Sequence, residues 1–209
     1  MIWALTLSQI WLSSFPIAIG FLGSLPLGYL ASRSAFARTF LLSAGSVLYT
    51  IPSLAMFIVI PVLIGTSLLD PINVVIALTI YALSIMVRSA ADAFAAVSDQ
   101  VQDSARAVGF SRLQSFFTVD LPLAGPALLA AVRVVSVSTV SLVSVGSVIG
   151  VSSLGFLFTD GFQRNFFVEI WVGIVGTVLI AAVFDVLLIA AGSLLLPWIR
   201  RPQRAGVLA

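Results

Sequence analysis

The stretch Asp103-Ser-Ala-Arg-Ala-Val-Gly109, followed after nine further residues by Val119-Asp-Leu-Pro122, lies in the longest polar loop between two long apolar segments. Residues 90–108 are rich in Ala with interspersed Asp and Gln, a composition that favours a helix. Gly109 is suited to end that helix, because glycine adopts the left-handed conformation of a C-terminal cap without steric cost. The loop therefore begins with a predicted helix and a glycine turn.

The second part of the loop predicts another short helix. Ser111 is placed to cap it, and Leu113, Phe116 and Phe117 would lie on roughly one face. Leu121-Pro122 closes the loop, with Pro in the first turn of the next apolar helix, where its missing N–H costs nothing. Two readings remain open for such a loop. It is either a helical hairpin lying on the membrane surface or a knob that inserts into a partner.

The composition is that of an integral membrane protein. Of the 209 residues, 60% are hydrophobic and only 9% are charged, with a mean hydropathy of +1.19, whereas soluble domains carry about 25% charged residues. The net charge of +2 is too small for a nucleic-acid-binding protein. Because Cys and His are absent, disulfides, thiolate nucleophiles, imidazole bases and the usual zinc ligands are excluded.

Hydropathy predicts five membrane spans in one membrane domain that covers residues 1–209. Proline in the Ile51-Pro52-Ser53 stretch and at Pro61 predicts kinks in the second span, and Pro16 and Pro26 predict bends in the first. The loop discussed above covers residues 88–122. The predicted spans are 9–31, 40–65, 72–87, 123–148 and 168–196.

Arginine placement predicts the orientation. With five spans, eight arginines fall on one side and only Arg164 falls on the other, which is a strong positive-inside bias. We therefore expect the N-terminus outside, and the C-terminus and the loop 88–122 in the cytosol. The eight arginines are Arg33, Arg38, Arg88, Arg106, Arg112, Arg200, Arg201 and Arg204.

Two charged residues fall well inside predicted spans. Arg133 lies in the fourth span and Asp185 in the fifth, each about 15 Å from the cytosolic end at 1.5 Å per residue. Equal depth permits an ion pair or a shared polar network. In the alternative, Arg133 extends towards the cytosolic headgroups and Asp185 bonds to serines of the fourth span or is protonated. No substrate-binding or metal-binding residues can be identified from the sequence.

The polar loop carries a resemblance to a known signature. It resembles the pattern Glu-Ala-Ala, three residues, Gly, nine residues, Ile, one residue, Leu-Pro of permease subunits of binding-protein-dependent ABC importers. Asp and Ser replace Glu and the first Ala of that pattern, and Val replaces Ile. The matching residues are Asp103, Ser104, Ala105, Gly109, Val119, Leu121 and Pro122.

The resemblance extends over roughly residues 10–200. Thr50-Ile-Pro-Ser-Leu-Ala-Met-Phe57, Arg88, the stretch from Gly146 to Gly155 and Asp185 are similar to the osmoprotectant branch of these permeases, whose members import glycine betaine, carnitine, choline or proline betaine. Methionine-type permeases share the five-helix core and much of this pattern. An amino acid such as methionine, or another zwitterion such as ergothioneine, is therefore an alternative substrate.

The resemblance implies an all-α membrane protein with the five-helix core of a type I ABC importer permease. Its signature loop would be a coupling helix that docks on a cytosolic ATPase dimer, which binds ATP and Mg²⁺. It further implies a second permease subunit, an extracytoplasmic solute-binding protein and a location in a bacterial cytoplasmic membrane. The chain itself lacks the phosphate-binding loop of ATPases, so it is not expected to be an enzyme.

A secondary carrier that needs no ATPase is a remote alternative. Such carriers usually place ionisable groups at the membrane midplane to bind protons or ions. Only Arg133 and Asp185 lie well inside spans here, and a carrier mechanism gives no reason for the signature loop. An intramembrane serine hydrolase is less probable still, because the chain has neither His nor Lys.

Overall fold

The computed structural model describes residues 1–200, with side chains as far as Trp198, and this part of the chain is all-α with no strand. Residues 201–209, including Arg201 and Arg204 of the orientation argument, lie outside the described residues, as does the side chain of Arg200. The helices are α1 (Ile2–Arg33), α2 (Ala35–Thr50), α3 (Ser53–Ile64), α4 (Pro71–Ala95), α5 (Asp99–Ala107), α6 (Arg112–Ser115), a π-helical turn (Phe116–Asp120), α7 (Leu121–Val145), a 3₁₀ turn (Gly146–Ile149), α8 (Phe156–Gln163), α9 (Phe167–Leu195) and a 3₁₀ turn (Pro197–Arg200).

The prediction of about five apolar spans is confirmed. Four helical segments are long and apolar enough to cross a membrane, namely α1, α4, the continuous stretch Arg112–Ile149 and α9. The fifth consists of α2 and α3, which together are long enough but meet at 104°. The predicted kink is thus a full break at Pro52, because proline disfavours a helical conformation at Ile51 before it. Tyr81 of α4 donates a hydrogen bond to the freed Ile51 carbonyl.

Two sequence-based boundaries are wrong. The third span was predicted to end at residue 87, but α4 continues to Ala95 because Ala90, Ala93 and Phe94 pack against α1 and α7 instead of facing water. Consequently the single helix predicted over 90–108 is divided at residues 96–98 between α4 and α5. Pro61 does not break α3 either, which runs through it to Ile64.

The centre of the bundle is the contact of α1, α4 and α7, and the closest approach is between α1 and α4. A Cβ atom built on Gly20 would lie 2.5 Å from Cβ of Ala82, and one on Gly28 would lie 2.4 Å from Cβ of Ala90. Small residues at this spacing let membrane helices approach closely without a bulky side chain between them. By contrast, α2 has no buried residue and α9 has few, so both lie at the periphery of this chain.

The end of the bundle opposite α5 is held by polar contacts. Gln9, fully buried on α1, donates to the Val140 carbonyl at 2.7 Å and accepts from the Leu154 backbone N–H at 3.2 Å. Between α8 and α9, Arg164 pairs with Glu169 at 2.5 Å and with Asp160 at 2.6 Å. The hydrogen bond that Arg164 donates to Glu169 and the charge of Asp160 raise the pKa of the Arg164 guanidinium above its ordinary value. These contacts connect the segment after α7 to α1 and α9.

Arg133 and Asp185 form an ion pair between α7 and α9. Nε of Arg133 donates to Oδ1 of Asp185 at 2.6 Å, and Nη2 donates to Oδ2 at 2.9 Å. Of the two arrangements open from the sequence, the structure therefore has the pair, in the bidentate geometry that suits guanidinium and carboxylate. Since α9 buries few residues against this chain, the pair is a specific anchor for it.

This pair predicts a coupled effect of two substitutions. Arg133→Leu and Asp185→Leu should each lower the midpoint of thermal unfolding in detergent, because each leaves one charge within a span without its partner. The double variant should lose clearly less than the sum of the two single losses, as measured in a double-mutant cycle. Additive losses would show that the two side chains do not stabilise each other.

Candidate functional site

The loop between α4 and α7 forms a compact knob at one end of the bundle. Helix α5 ends at Ala107, and Gly109 has φ of +92°, the left-handed conformation predicted for it. The Gly109 N–H donates to the Arg106 carbonyl at 2.9 Å, and the Phe110 N–H donates to the Ala105 carbonyl at 3.1 Å. A Cβ atom at Gly109 would meet nothing within 4 Å. Backbone conformation, not lack of space, therefore requires glycine here.

Helix α6 begins with the cap predicted at Ser111. Its Oγ accepts from the Gln114 N–H at 3.3 Å, and Oε1 of Gln114 accepts from the Ser111 N–H at 2.9 Å, which completes a capping box. This reciprocal pair of hydrogen bonds fixes the direction in which the chain leaves the Gly109 turn.

The entry into α7 differs from the prediction. Pro122 lies in the first turn of α7, as expected, but the helix does not start there, because the π-helical turn continues from α6 without a break. The Leu121 N–H donates to the Phe116 carbonyl, five residues back. This wider turn rotates Phe116 inward, where its ring lies 4.9 Å from that of Tyr29. Leu113, Phe116 and Phe117 all line the cavity between the knob and α1, as expected of residues on roughly one face, and Phe116 is more buried than the other two.

The signature residues divide into an outward and an inward set. Asp103 and Ser104 point outward on α5, and Asp103 pairs with Arg106 at 3.0 Å although both side chains are about two-thirds exposed or more. Ala105 is buried. Val119, Leu121 and Pro122 are half-buried where the knob joins α7. Exposed apolar side chains also occur on the knob. Val101 and Val108 lie on α5 and just after it, whereas Phe110, Leu113 and Phe117 line the cavity between the knob and α1, together with Arg106. The knob surface thus combines charged and apolar groups, as protein-binding surfaces do.

A polar cluster behind the knob was not predicted. Arg33, at the end of α1, pairs through Nη2 with Oδ1 of Asp120 at 3.3 Å and donates through Nη1 to Oε1 of Gln102 on α5. The Tyr29 hydroxyl donates to Oδ2 of Asp120 at 3.4 Å, and the Arg33 guanidinium lies 4.9 Å from the centre of the Tyr29 ring. Asp120 is only 1% exposed. We call Tyr29, Arg33, Gln102 and Asp120 the Arg33 clamp.

The clamp joins three separate parts of the chain. Arg33 belongs to α1, Gln102 to α5 and Asp120 to the π-helical turn before α7, so the clamp connects α5 to two central helices. The sequence offered one signal that could have found it. Asp120 is a lone carboxylate at the start of an apolar helix, and Arg33 ends the first span on the same predicted side of the membrane. Gln102 gave no signal, because nothing in its neighbourhood distinguishes it from a solvated Gln.

The other predicted residues lie elsewhere. The Arg133–Asp185 pair lies on α7 and α9 and shares no contact with the clamp. In residues 1–200, no group of three or more Asp or Glu side chains is placed to hold a metal ion.

Comparison with known proteins identifies relatives of the chain. The family described as "Binding-protein-dependent transport system inner membrane component" matches residues 24–201. The osmoprotectant import permease protein OsmW of Salmonella typhimurium is 29% identical over 88% of this chain and 87% of its own. The glycine betaine/carnitine/choline transport system permease protein OpuCD of Bacillus subtilis is 25% identical over 85% and 76%.

Two further similarities are more limited. The ergothioneine transport permease/ergothioneine binding protein EgtU of Helicobacter pylori is 36% identical, over 62% of this chain but only 23% of its own length. Among solved structures, the inward-facing MetNI methionine ABC transporter matches with a TM-score of 0.74 over 96% of this chain and 98% of its own, at 21% identity. This last similarity establishes the fold, which agrees with the predicted five-helix permease core.

The Arg33 clamp leads to a prediction with a matched control. Asp120→Asn should destabilise the protein by about 1–3 kcal/mol, because the buried site loses the charge that Arg33 and the Tyr29 hydroxyl face. Hydrogen exchange of the backbone amides in residues 99–107 should become faster, since Arg33 then holds α5 less firmly. Asp103→Asn, on the exposed face of the same knob, should change neither quantity measurably. Equal behaviour of the two variants would show that the clamp does not fix α5.

Proposed function

The chain belongs to the family of binding-protein-dependent transport system inner membrane components, and on that premise we propose that it forms half of the translocation path of an ATP-driven importer. In this proposal the knob is a coupling element that docks on a cytosolic ATPase. The observation that carries the proposal is the knob itself. Its outward face is free, while its inward face is tied through the Arg33 clamp to α1 and α7.

A coupling element has two requirements, and the knob meets both. It must present a surface to which a partner can bind. The exposed Asp103–Arg106 pair and the neighbouring apolar side chains provide such a surface. It must also pass a displacement to the spans without deforming. The capping box and the Gly109 turn make the knob stiff, and the clamp connects it to the bundle at a buried charge. A hairpin that merely lay on the membrane would not need the second feature.

The proposal includes partners that supply what the chain lacks. ATP and Mg²⁺ would be bound by the ATPase dimer, because this chain has no phosphate-binding loop. A second permease, identical or similar, would complete the path beside helices such as α2, which has no buried residue here. An extracytoplasmic binding protein would deliver the solute. In this arrangement residues 1–209 act as one membrane domain.

The substrate class we propose is a small zwitterionic or quaternary-ammonium solute of the glycine betaine, carnitine or choline type. It is supported by the names of OsmW and OpuCD, which both align with most of this chain. Ergothioneine is a second candidate, because the permease part of EgtU has a higher identity over a shorter stretch. The similarity to MetNI concerns the fold alone and lends methionine no further support.

The Gly109 turn provides the test of coupling. Gly109→Val should abolish uptake while the protein remains in the membrane, because a β-branched residue at positive φ costs about 1–3 kcal/mol locally and distorts the knob. Co-purification of the ATPase, or ATP hydrolysis stimulated by the loaded binding protein, should fall with it. Gly65→Val is the matched control. Gly65 also has positive φ and open space around it, but it ends α3, far along the chain from the knob, so its ATPase association should persist.

Normal uptake and normal ATPase association in Gly109→Val would contradict the coupling role. The knob would then be a hairpin at the membrane surface.

The orientation is tested separately. From the arginine distribution we propose that the knob lies in the cytosol and the N-terminus outside. In this Cys-free chain, a cysteine introduced by Ser111→Cys should react with a membrane-impermeant maleimide in inside-out vesicles and not in intact cells. Ser111 is exposed on the knob, so its reaction reports the side directly. Labelling in intact cells would contradict both the orientation and the cytosolic ATPase.

A further inference from the structure

A second polar feature lies between α2 and α4, apart from the knob. An open groove of about 470 Å³ runs along these helices. The polar side chains on its wall are Arg38, Thr39, Ser43, Ser46 and Arg88. We call it the α2–α4 groove. Its volume is in the range of pockets that hold small molecules.

The two arginines of the groove differ in their partners. Arg38 pairs with Asp92 at 2.5 Å, so its charge is compensated. Arg88 donates from Nη2 to the Ser46 hydroxyl at 3.1 Å and has no acidic partner among the residues that the structure describes. The groove therefore carries one uncompensated positive charge, with a hydroxyl already bonded to it. Ser43, one turn from Ser46 on α2, adds a second exposed hydroxyl.

The extension of α4 to Ala95 changes the position of Arg88, which the sequence placed just after the third span and which now falls within the candidate span Pro71–Ala95. Arg88 precedes the end of α4 at Ala95 by seven residues, or about 10 Å along the helix. Its partner Ser46 lies eleven residues into α2, a helix that buries no residue in this chain. A guanidinium held at this depth against acyl chains is expensive, and charged groups inside spans almost always face a water-filled cavity or another polypeptide. The groove is thus suited to line an aqueous path.

We propose that Arg88, with Ser46, binds the carboxylate of the transported solute as it passes along the α2–α4 groove. The inference rests on the proposed function and narrows its substrate class to solutes that carry a carboxylate, such as betaines. A guanidinium offers two parallel N–H donors to a carboxylate, and the Ser46 hydroxyl adds a further donor. The same charge repels a quaternary ammonium group. Choline, which has no carboxylate, would gain nothing at this site.

The first test uses the cysteine-free chain in the complete importer. Ser43→Cys places a thiol on the groove, and inside-out vesicles expose it to small methanethiosulfonate reagents of either charge. We measure the ratio of the reaction rate of the anionic sulfonatoethyl reagent to that of the cationic trimethylammonioethyl reagent. With Arg88 present, this ratio should be high. Arg88→Gln in the same background should lower this ratio about five- to tenfold, because one nearby charge acts on the two reagents in opposite directions. Arg88→Lys should retain most of the ratio measured with Arg88.

The second test asks which solute occupies the groove. The neutral methyl methanethiosulfonate is used as the probe, so that electrostatics do not alter its own rate. Glycine betaine should slow its reaction with the Ser43→Cys thiol, and choline at the same concentration should not. In Arg88→Gln, the concentration of glycine betaine that gives half-maximal protection should rise about 10- to 100-fold. This is the loss of affinity expected when a charge-assisted hydrogen bond is removed.

Three outcomes would overturn the inference. They are absence of reaction at the Ser43→Cys thiol with any reagent, a charge ratio that does not depend on Arg88, and equal protection by glycine betaine and choline. The neutral reagent also shows whether the groove persists in Arg88→Gln, so misfolding is recognised. If Gly109→Val abolishes uptake while the Arg88 tests fail, only the carboxylate site is refuted. If Gly109→Val transports normally, the coupling proposal fails on its own evidence.

Discussion

The buried carboxylate of Asp120 is the constraint on which the knob end of the molecule depends. A carboxylate that is 1% exposed requires a compensating cation, and Arg33 is its ion-pair partner. Arg33 is the last residue of α1 and Asp120 directly precedes α7. The ion pair therefore keeps the end of α1 close to the start of α7. Because the same guanidinium also donates to Gln102, the orientation of α5 depends on this arrangement as well. One guanidinium thus contacts both α5 and the turn that leads into α7.

The remaining architecture separates a stiff centre from a loosely attached periphery. Helices α1 and α4 touch where Gly20 and Gly28 leave no room for a Cβ atom, so they can hardly shift against each other without a clash. The periphery is different, since α2 is interrupted at Pro52 and α9 buries few of its residues and pairs with α7 through Arg133 and Asp185. In the proposed importer, a displacement that enters through the clamp would reach the stiff centre first. The peripheral helices would be the ones able to change their contacts with the proposed second subunit.

The sequence predicted what local chemistry and hydropathy determine. The number of spans, the left-handed Gly109 and the Ser111 cap each depend on a few neighbouring residues, and all were predicted correctly. The end of α4 was not, because hydropathy averages over the alanines of residues 88–95 and cannot report that they pack against other helices. The π-helical turn and the Arg33 clamp depend on residues up to 91 positions apart, and no local pattern encodes such pairings.

The arginines of the spans show how pairing separates structural from functional charges. Arg133 donates one hydrogen bond to each carboxylate oxygen of Asp185, in the bidentate geometry that best satisfies a carboxylate. It has little capacity left for a second anion, and a solute that competed for it would break the ion pair between α7 and α9. Arg88 differs, because its partner is the neutral hydroxyl of Ser46. This hydroxyl accepts one hydrogen bond and leaves the charge of Arg88 uncompensated. Keeping an uncompensated charge at that depth lowers the stability of the bundle. A loss of stability of this kind is typical of a charged group that serves binding, because the ligand supplies the opposite charge.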